Sequence, residues 1–260
     1  MSLHIGLISH EYPPFPHGGI GSSNHDLAEG LVEAGHQVTV VGLYPKDKLS
    51  IDVRSKERLK IVRLPQSPKW LRFRMKFLME RWRLRRWLEA EHARNPFDLI
   101  EFSDYSGWLP WGGPKGVPTV ARLQGTNFLF DHELKREGSR FEYDLEKQSL
   151  ARASYWMGIS DYVFRKTLDL CGWDSKPGAT IPHAVDADYF SPGGDVLPED
   201  GLIVFVNRVV PRKGVAEMVE SANQVCAQYP KAKFVIIGAN SAKPVGSLSY
   251  PEYCLSKIKP

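Results

Sequence analysis

The sequence predicts an α/β protein built on a parallel sheet, on three grounds. Leu3–Leu43 reads as strand, glycine-bearing loop, helix, strand, which is the βαβ unit of such a sheet. The same alternation of short β-branched runs with helical patterns continues down the chain. It then restarts beyond a Pro/Gly-punctuated stretch, Ser191-Pro192-Gly193-Gly194 to Pro198. With 260 residues, 42% of them hydrophobic, the chain can bury a large core.

The first strand is the apolar run Leu3–Ser9. The loop His10–Gly21 follows and carries Pro13, Pro14, Pro16 and the glycines Gly18, Gly19 and Gly21. Leu27, Leu31 and Ala34 then recur near one helical turn, and Gly35 stops the pattern. Ser22, Ser23 and Asn24 supply N-cap oxygens, so the helix is expected to begin there. Gln37–Val41 is the second strand, Tyr44–Arg58 reads as a charged loop, and Leu59–Leu64 is a third strand.

Trp70–Glu91 is the strongest helical segment, and a helical wheel gives it two apolar stripes. One stripe is Trp70, Phe73, Phe77, Leu84 and Leu88; the other is Leu71, Met75, Leu78 and Trp82. Arg72, Lys76 and Arg83 separate them on one side, and Arg74, Arg81 and Arg85 on the other. One face is expected on the sheet. The other meets a second helix, a partner or an anionic membrane surface, unless the segment is a core helix whose arginines snorkel to solvent.

Phe97–Phe102 and Pro118–Leu123 are further strands, each ending in a polar loop: Ser103–Trp108 and Gln124–Asn127. Phe128–Arg140 reads as a charged loop. Phe141–Ala153 is a helix, Tyr155–Ile159 a strand, Ser160-Asp161 the cap of a helix to Leu170, and Ala179–Ile181 a short strand. Beyond the punctuated stretch come a strand at Leu202–Val206, a basic loop at Asn207–Gly214, a helix at Val215–Tyr229 and a strand at Lys233–Ile237. The remainder shows no periodicity. The expected division is 1–190 for the first domain and 198–260 for an incomplete second one, with the linker exposed.

Composition excludes several classes. A net charge of +4 is too small to argue for nucleic acid without a basic patch. Three dispersed cysteines fit a reducing compartment and no disulfide framework. The chain enters a strand at once, so no signal peptide is expected, and no apolar run approaches the ~20 residues of a membrane span. The expected location is cytoplasmic, peripheral at the inner membrane face if the second stripe meets lipid. No His/Cys/Asp/Glu cluster has metal-ligand spacing, and Asp186-Ala187-Asp188 reads as structural, so neither metal nor cofactor is expected.

Open α/β sheets bind ligands at the carboxyl ends of their strands. Asp104, Tyr105, Gln124 and Asn127 fall there, with His17 beside the glycine loop; Asp104 is also placed to cap a following helix. The loop lacks the GxGxxG spacing of a dinucleotide fingerprint and any GKS or GKT sequence. Gly18 and Gly19 before a helix still let backbone amides approach an anion.

Four landmarks, in order, resemble those of family 4 nucleotide-sugar glycosyltransferases. They are the glycine loop, Gly158-Ile159-Ser160, Ile181–Asp186 and Asn207–Gly214. Ile181–Asp186 is similar to the family's IPNGVD segment, with His183-Ala184 replacing Asn-Gly. Asn207–Gly214 is similar to its GRLxxxKG signature, with Asn207 in place of glycine. The resemblance implies the GT-B fold: an acceptor-side Rossmann-like domain and a donor-side one. It implies retaining, metal-independent sugar transfer from a nucleotide-sugar donor to a carbohydrate or lipid acceptor. Arg208 and Lys213 would hold the donor diphosphate, with the Gly18-Gly19 amides also serving it. His17, Asp104, Tyr105, Gln124 and Asn127 would line the acceptor or sugar cleft. Gln124-Gly125 stands where the family has His-Gly, and the family's paired-glutamate motif has no counterpart here. The expectation is therefore a chain inactive on its own, either a truncated enzyme or an acceptor-binding subunit that needs a partner for the donor half.

Overall fold

The computed structural model describes residues 1–15, 18–49, 51–54 (backbone only), 58–68, 70–191, 197–240 and 244–258. The chain divides into two compact units, Met1–Phe190 and Ser191–Pro260.

In the first unit the strands are β1 (His4–Ile8), β2 (Gln37–Tyr44), β3 (Ile51–Arg54), β4 (Leu59–Pro65), β5 (Leu99–Ser103), β6 (Thr119–Leu123), β7 (Tyr155–Gly158) and β8 (Gly178–Thr180). The helices are α1 (Gly19–Glu33), α2 (Phe73–Arg94), α3 (Asn127–Glu133), α4 (Arg140–Arg152) and α5 (Asp161–Cys171). The sheet order is β3-β4-β2-β1-β5-β6-β7-β8. All pairs are parallel except the edge pair β3–β4.

Alternation along each strand explains the two-sided core. On β2, Val38 and Val40 join Ile5, Leu7 and Ala28 of α1 on one face. Val41 and Leu43 join Leu84 and Leu88 of α2, Leu150 of α4 and Trp156 on the other. With both faces covered, β1 is buried at every position. Gly42 is needed where the chain leaves β1, because a Cβ there would sit 1.9 Å from the Ser9 carbonyl oxygen.

Several expectations need correction. α1 begins at Gly19 with Gly18 as its N-cap, so Ser22, Ser23 and Asn24 lie inside the helix. The glycines thus form the first turn itself. Tyr44–Arg58 was expected as loop, but it holds a 3-10 turn at Lys46–Lys48 and the antiparallel strand β3. Phe128–Arg140, also expected as loop, begins with α3 to Glu133, nucleated by Thr126, whose side chain accepts from the Leu129 amide at 3.1 Å; 134–139 carry no helix or strand.

The second unit holds β9 (Leu202–Val206), α6 (Val215–Gln228), β10 (Lys233–Ile237) and α7 (Tyr250–Leu255). β9 and β10 pair in parallel. Phe205 and Ile236 pack with Val215 and Val219 of α6 and with Tyr250 and Cys254 of α7. The sequence shows no period at α7, yet Ser249 and Glu252 close a capping box that starts it.

Candidate functional site

The strand order reverses beside β1, whose neighbours are β2 and β5. The crevice at the carboxyl ends of β1, β5 and β6 is therefore the place to look for a ligand in the first unit.

From β1 the chain passes His10 and Glu11. The His10 ring lies 4.9 Å from the Trp108 ring, and burial lowers its pKa. Glu11 accepts the Gly18 N–H at 2.8 Å, so a carboxylate already sits at the N-terminus of α1. The next amides of that turn have no intrahelical acceptor, and the macrodipole leaves the turn attractive to anions.

From β5 comes Asp104, which is fully buried. Its two oxygens accept from the amides of Gln124 and Gly125, each at 3.0 Å. Burial raises its carboxyl to about 6, against those bonds. Asp104 thus caps no helix; both its oxygens are taken by backbone amides. It locks the end of β6 to the end of β5. Gly125 completes this turn at φ +119°, where a Cβ would meet the Phe130 ring at 2.6 Å.

Gln124 is half-buried and spans two elements. Its Nε2 donates to Ser23 Oγ at 3.0 Å, and its Oε1 accepts from Ser103 Oγ at 3.3 Å. Ser23 belongs to α1, so the glycine turn and the end of β6 are tied together. Gly18, Gly19 and Gln124 therefore share one rim of this unit. Tyr105 is half-buried and donates its amide to Ser103 Oγ at 3.3 Å. Asn127 opens α3, and both its amide and Nδ2 donate to Glu146, at 2.9 and 2.8 Å. Its side chain serves the scaffold. His17 lies outside the described residues.

Two groups that hold this rim escaped the sequence. Glu146 of α4 is fully buried and also accepts the Ser106 amide at 2.9 Å. These donors favour the carboxylate, but burial outweighs them and raises its pKa to about 7. Arg81 of α2 is 1% exposed. Its guanidinium donates to the carbonyls of Ser106 at 2.5 Å and Gly107 at 3.2 Å, and lies 4.3 Å from the Trp108 ring. Arg81 therefore does not separate stripes at the surface. It and Glu146 grip the carbonyls and the amide of one loop from opposite sides of the hydrogen-bonding alphabet.

In the second unit, the loop after β9 carries Arg208 and Lys213. Arg208 is exposed, and its amide donates to Asn207 Oδ1 at 3.0 Å. Pro211–Lys213 forms a 3-10 turn, and Gly214, at φ +75°, is the N-cap of α6. Both cations therefore lie on the approach to a helix N-terminus, a setting that favours phosphate. Glu217 in the first turn partly offsets that charge.

The family model for Glycosyltransferase Family 4 matches residues 17–189. The chain belongs to glycosyltransferase family 4. Among curated proteins, it is 25% identical over 243 residues to the phosphatidylinositol N-acetylglucosaminyltransferase gpi3 subunit of Schizosaccharomyces pombe, covering 89% of this chain and 50% of that one. It is 23% identical over 270 residues to the alpha-monoglucosyldiacylglycerol synthase of Acholeplasma laidlawii, covering 94% and 65%. The family 4 chain thus spans about half to two thirds of the length of these relatives. Among solved structures, sucrose-phosphate synthase of Thermosynechococcus elongatus superposes with a TM-score of 0.70 at 20% identity, over 91% of this chain and 62% of that one. That likeness establishes the GT-B type of fold. Among the described residues no helix is long and apolar enough to cross a membrane.

Proposed function

We propose that the protein transfers a sugar from a nucleotide-sugar donor to a lipid acceptor, with retention of anomeric configuration. The observation that carries the donor assignment is the basic loop at the carboxyl end of β9, where Arg208 and Lys213 precede the N-terminus of α6. A departing nucleoside diphosphate gains negative charge, and fixed cations with helix amides stabilise that charge as it develops. The glycine turn of α1 is a separate anion-facing element of the first unit, in which Glu11 holds the Gly18 amide until a stronger anion competes. Gln124 lines the sugar or acceptor side. Its amide can orient hydroxyl groups but cannot take a proton, so we assign it positioning and no general base. Asp104 and Asn127 support that rim from behind, and Tyr105 lies at its edge.

The lipid class of acceptor is chosen over carbohydrate because the names of these two relatives contain a lipid, phosphatidylinositol in one and a glucosyldiacylglycerol in the other. The Schizosaccharomyces pombe relative is named as a subunit, which favours a second assignment: an acceptor-binding subunit that needs a partner for the donor half. Repeated release of nucleoside diphosphate by the purified chain alone would support the first assignment and overturn the expectation of a chain inactive on its own; release only with a partner would support the second.

The donor site is tested by titrating uridine and adenosine diphosphates into the protein and following amide shifts. Charged contacts of this kind contribute about 1.5–3 kcal/mol each, so Arg208→Ala and Lys213→Ala should each weaken binding by roughly ten- to a hundredfold. Measurable wild-type binding that neither substitution changes would place the diphosphate elsewhere.

A further inference from the structure

α2 presents two faces, and the sheet uses only one. Glu80, Arg81, Leu84, Leu88 and Glu91 are its buried positions. About half a turn round the helix lie Met75, Leu78, Met79 and Trp82, the last of them 58% exposed. Trp70, just before the helix, is 81% exposed, and Phe73 is exposed as well. Scattered exposed apolar residues are ordinary, but a contiguous stripe along one helix face marks a contact surface.

The charge around the stripe is one-sided. Every charged residue from Arg72 to Arg86 is Lys or Arg, except Glu80. Glu80 is buried and accepts the Ser67 amide at 3.0 Å, so it presents little charge outward. Arg72, Arg74 and Arg86 are exposed on the flanks. Arg86 lies 5.8 Å from the Trp82 ring and Arg74 5.3 Å from the Phe141 ring, so both bases stay beside the apolar surface. With Arg81 turned into the core, a water-soluble protein partner would meet Arg72, Arg74 and Arg86 exposed and Lys76, Arg83 and Arg85 half-buried, with Glu89, paired to Arg85 at 2.9 Å, as the acidic neighbour. An anionic bilayer offers both requirements at once: headgroup phosphates for the arginines, and an interfacial zone for Trp70, Trp82 and the methionines.

We propose that the exposed face of α2 docks on an anionic lipid surface, with the helix lying in the plane of the interface. This inference rests on α2 alone and stands apart from the donor assignment. Vesicle binding can fail while diphosphate binding survives, and the reverse.

The test is co-sedimentation with phosphatidylcholine vesicles containing phosphatidylglycerol, compared with pure phosphatidylcholine. Binding should be at least tenfold stronger to the acidic vesicles and should fall as salt rises. Trp fluorescence should shift to the blue on binding. Arg74→Glu with Arg86→Glu should abolish the preference for acidic lipid, and Trp70→Ser with Trp82→Ser should lower binding at least tenfold and remove most of the blue shift. All four positions are exposed, so thermal unfolding of both variants should match the parent. Equal binding to both vesicle types, or binding to neither, would overturn the proposal. So would sedimentation velocity showing a dimer that Trp82→Ser dissociates, since a second copy would then cover the stripe.

Discussion

Arg81→Ala is expected to cost about 3–5 kcal/mol of stability, the range for removing one member of a buried charged network. The side chain is 1% exposed and bonds to two loop carbonyls. Burial has already lowered its pKa to about 10, chiefly through desolvation, with Glu80, Glu142 and Glu146 opposing the fall. Removing it strands the Ser106 and Gly107 carbonyls, takes a cation off the Trp108 face and leaves Glu80 without its neighbour. Urea unfolding of Arg81→Ala against Arg86→Ala gives the comparison. Arg86 is exposed, and its loss should stay within about 0.5 kcal/mol. Similar small losses for both would mean that Arg81 does not organise the loop.

The second large effect belongs to Glu146. Its removal leaves the amides of Ser106 and Asn127 without their buried acceptor, and Glu146→Ala should cost about 3 kcal/mol. Its titration sets a pH dependence of definite sign. The folded pKa is about 7, raised from 4.5, so between those values the folded state holds more protons than the unfolded one. Stability then falls as pH rises through that window, by about 3 kcal/mol from this group. Asp104, raised from 3.8 to about 6, acts in the same direction at lower pH. Glu146→Gln keeps an accepting oxygen and removes the charge, so its stability should exceed the parent's increasingly from pH 5 to pH 7. Parallel profiles for parent and Glu146→Gln would show that Glu146 is ionised in the fold throughout.

These two residues also show where the sequence stops being legible. The parallel sheet was readable because β1, β2 and β5 are short, mostly apolar runs between polar loops, alternating with helical patterns. The N-cap at Ser160 and the stop at Gly35, φ +91°, just past the end of α1, were readable from local chemistry alone. The start of α1 was not: three residues with capping oxygens compete with glycines, and the β1 loop delivers the chain to Gly18 first, where Glu11 satisfies the amide. α3 is seven residues long, too short for a periodic signal, and it rests on Thr126 and Glu146. Arg81 falls between Phe77 and Leu84 at helical spacing, on the core side. A sequence reader assigns arginine to solvent by default, and only the carbonyls of the loop after β5 reveal why it is buried. Asp104 was located correctly at a strand end, but its partners are backbone amides that no side-chain pattern announces.

The basic loop of Arg208 and Lys213 and the stripe of α2 were both visible as sequence, since each depends on residues close together in the chain. What each touches depends on chemistry outside the chain. That chemistry is best tested together. Membrane fractions from cells producing the protein would be incubated with nucleotide sugars labelled in the sugar, and lipid extracts would be analysed by anomeric NMR. Label should enter the lipid extract only when the protein is present, in the anomeric configuration of the donor, and should be lost in the Arg208→Ala, Lys213→Ala double variant. Label released solely as free sugar, or joined with inverted configuration, would contradict the account.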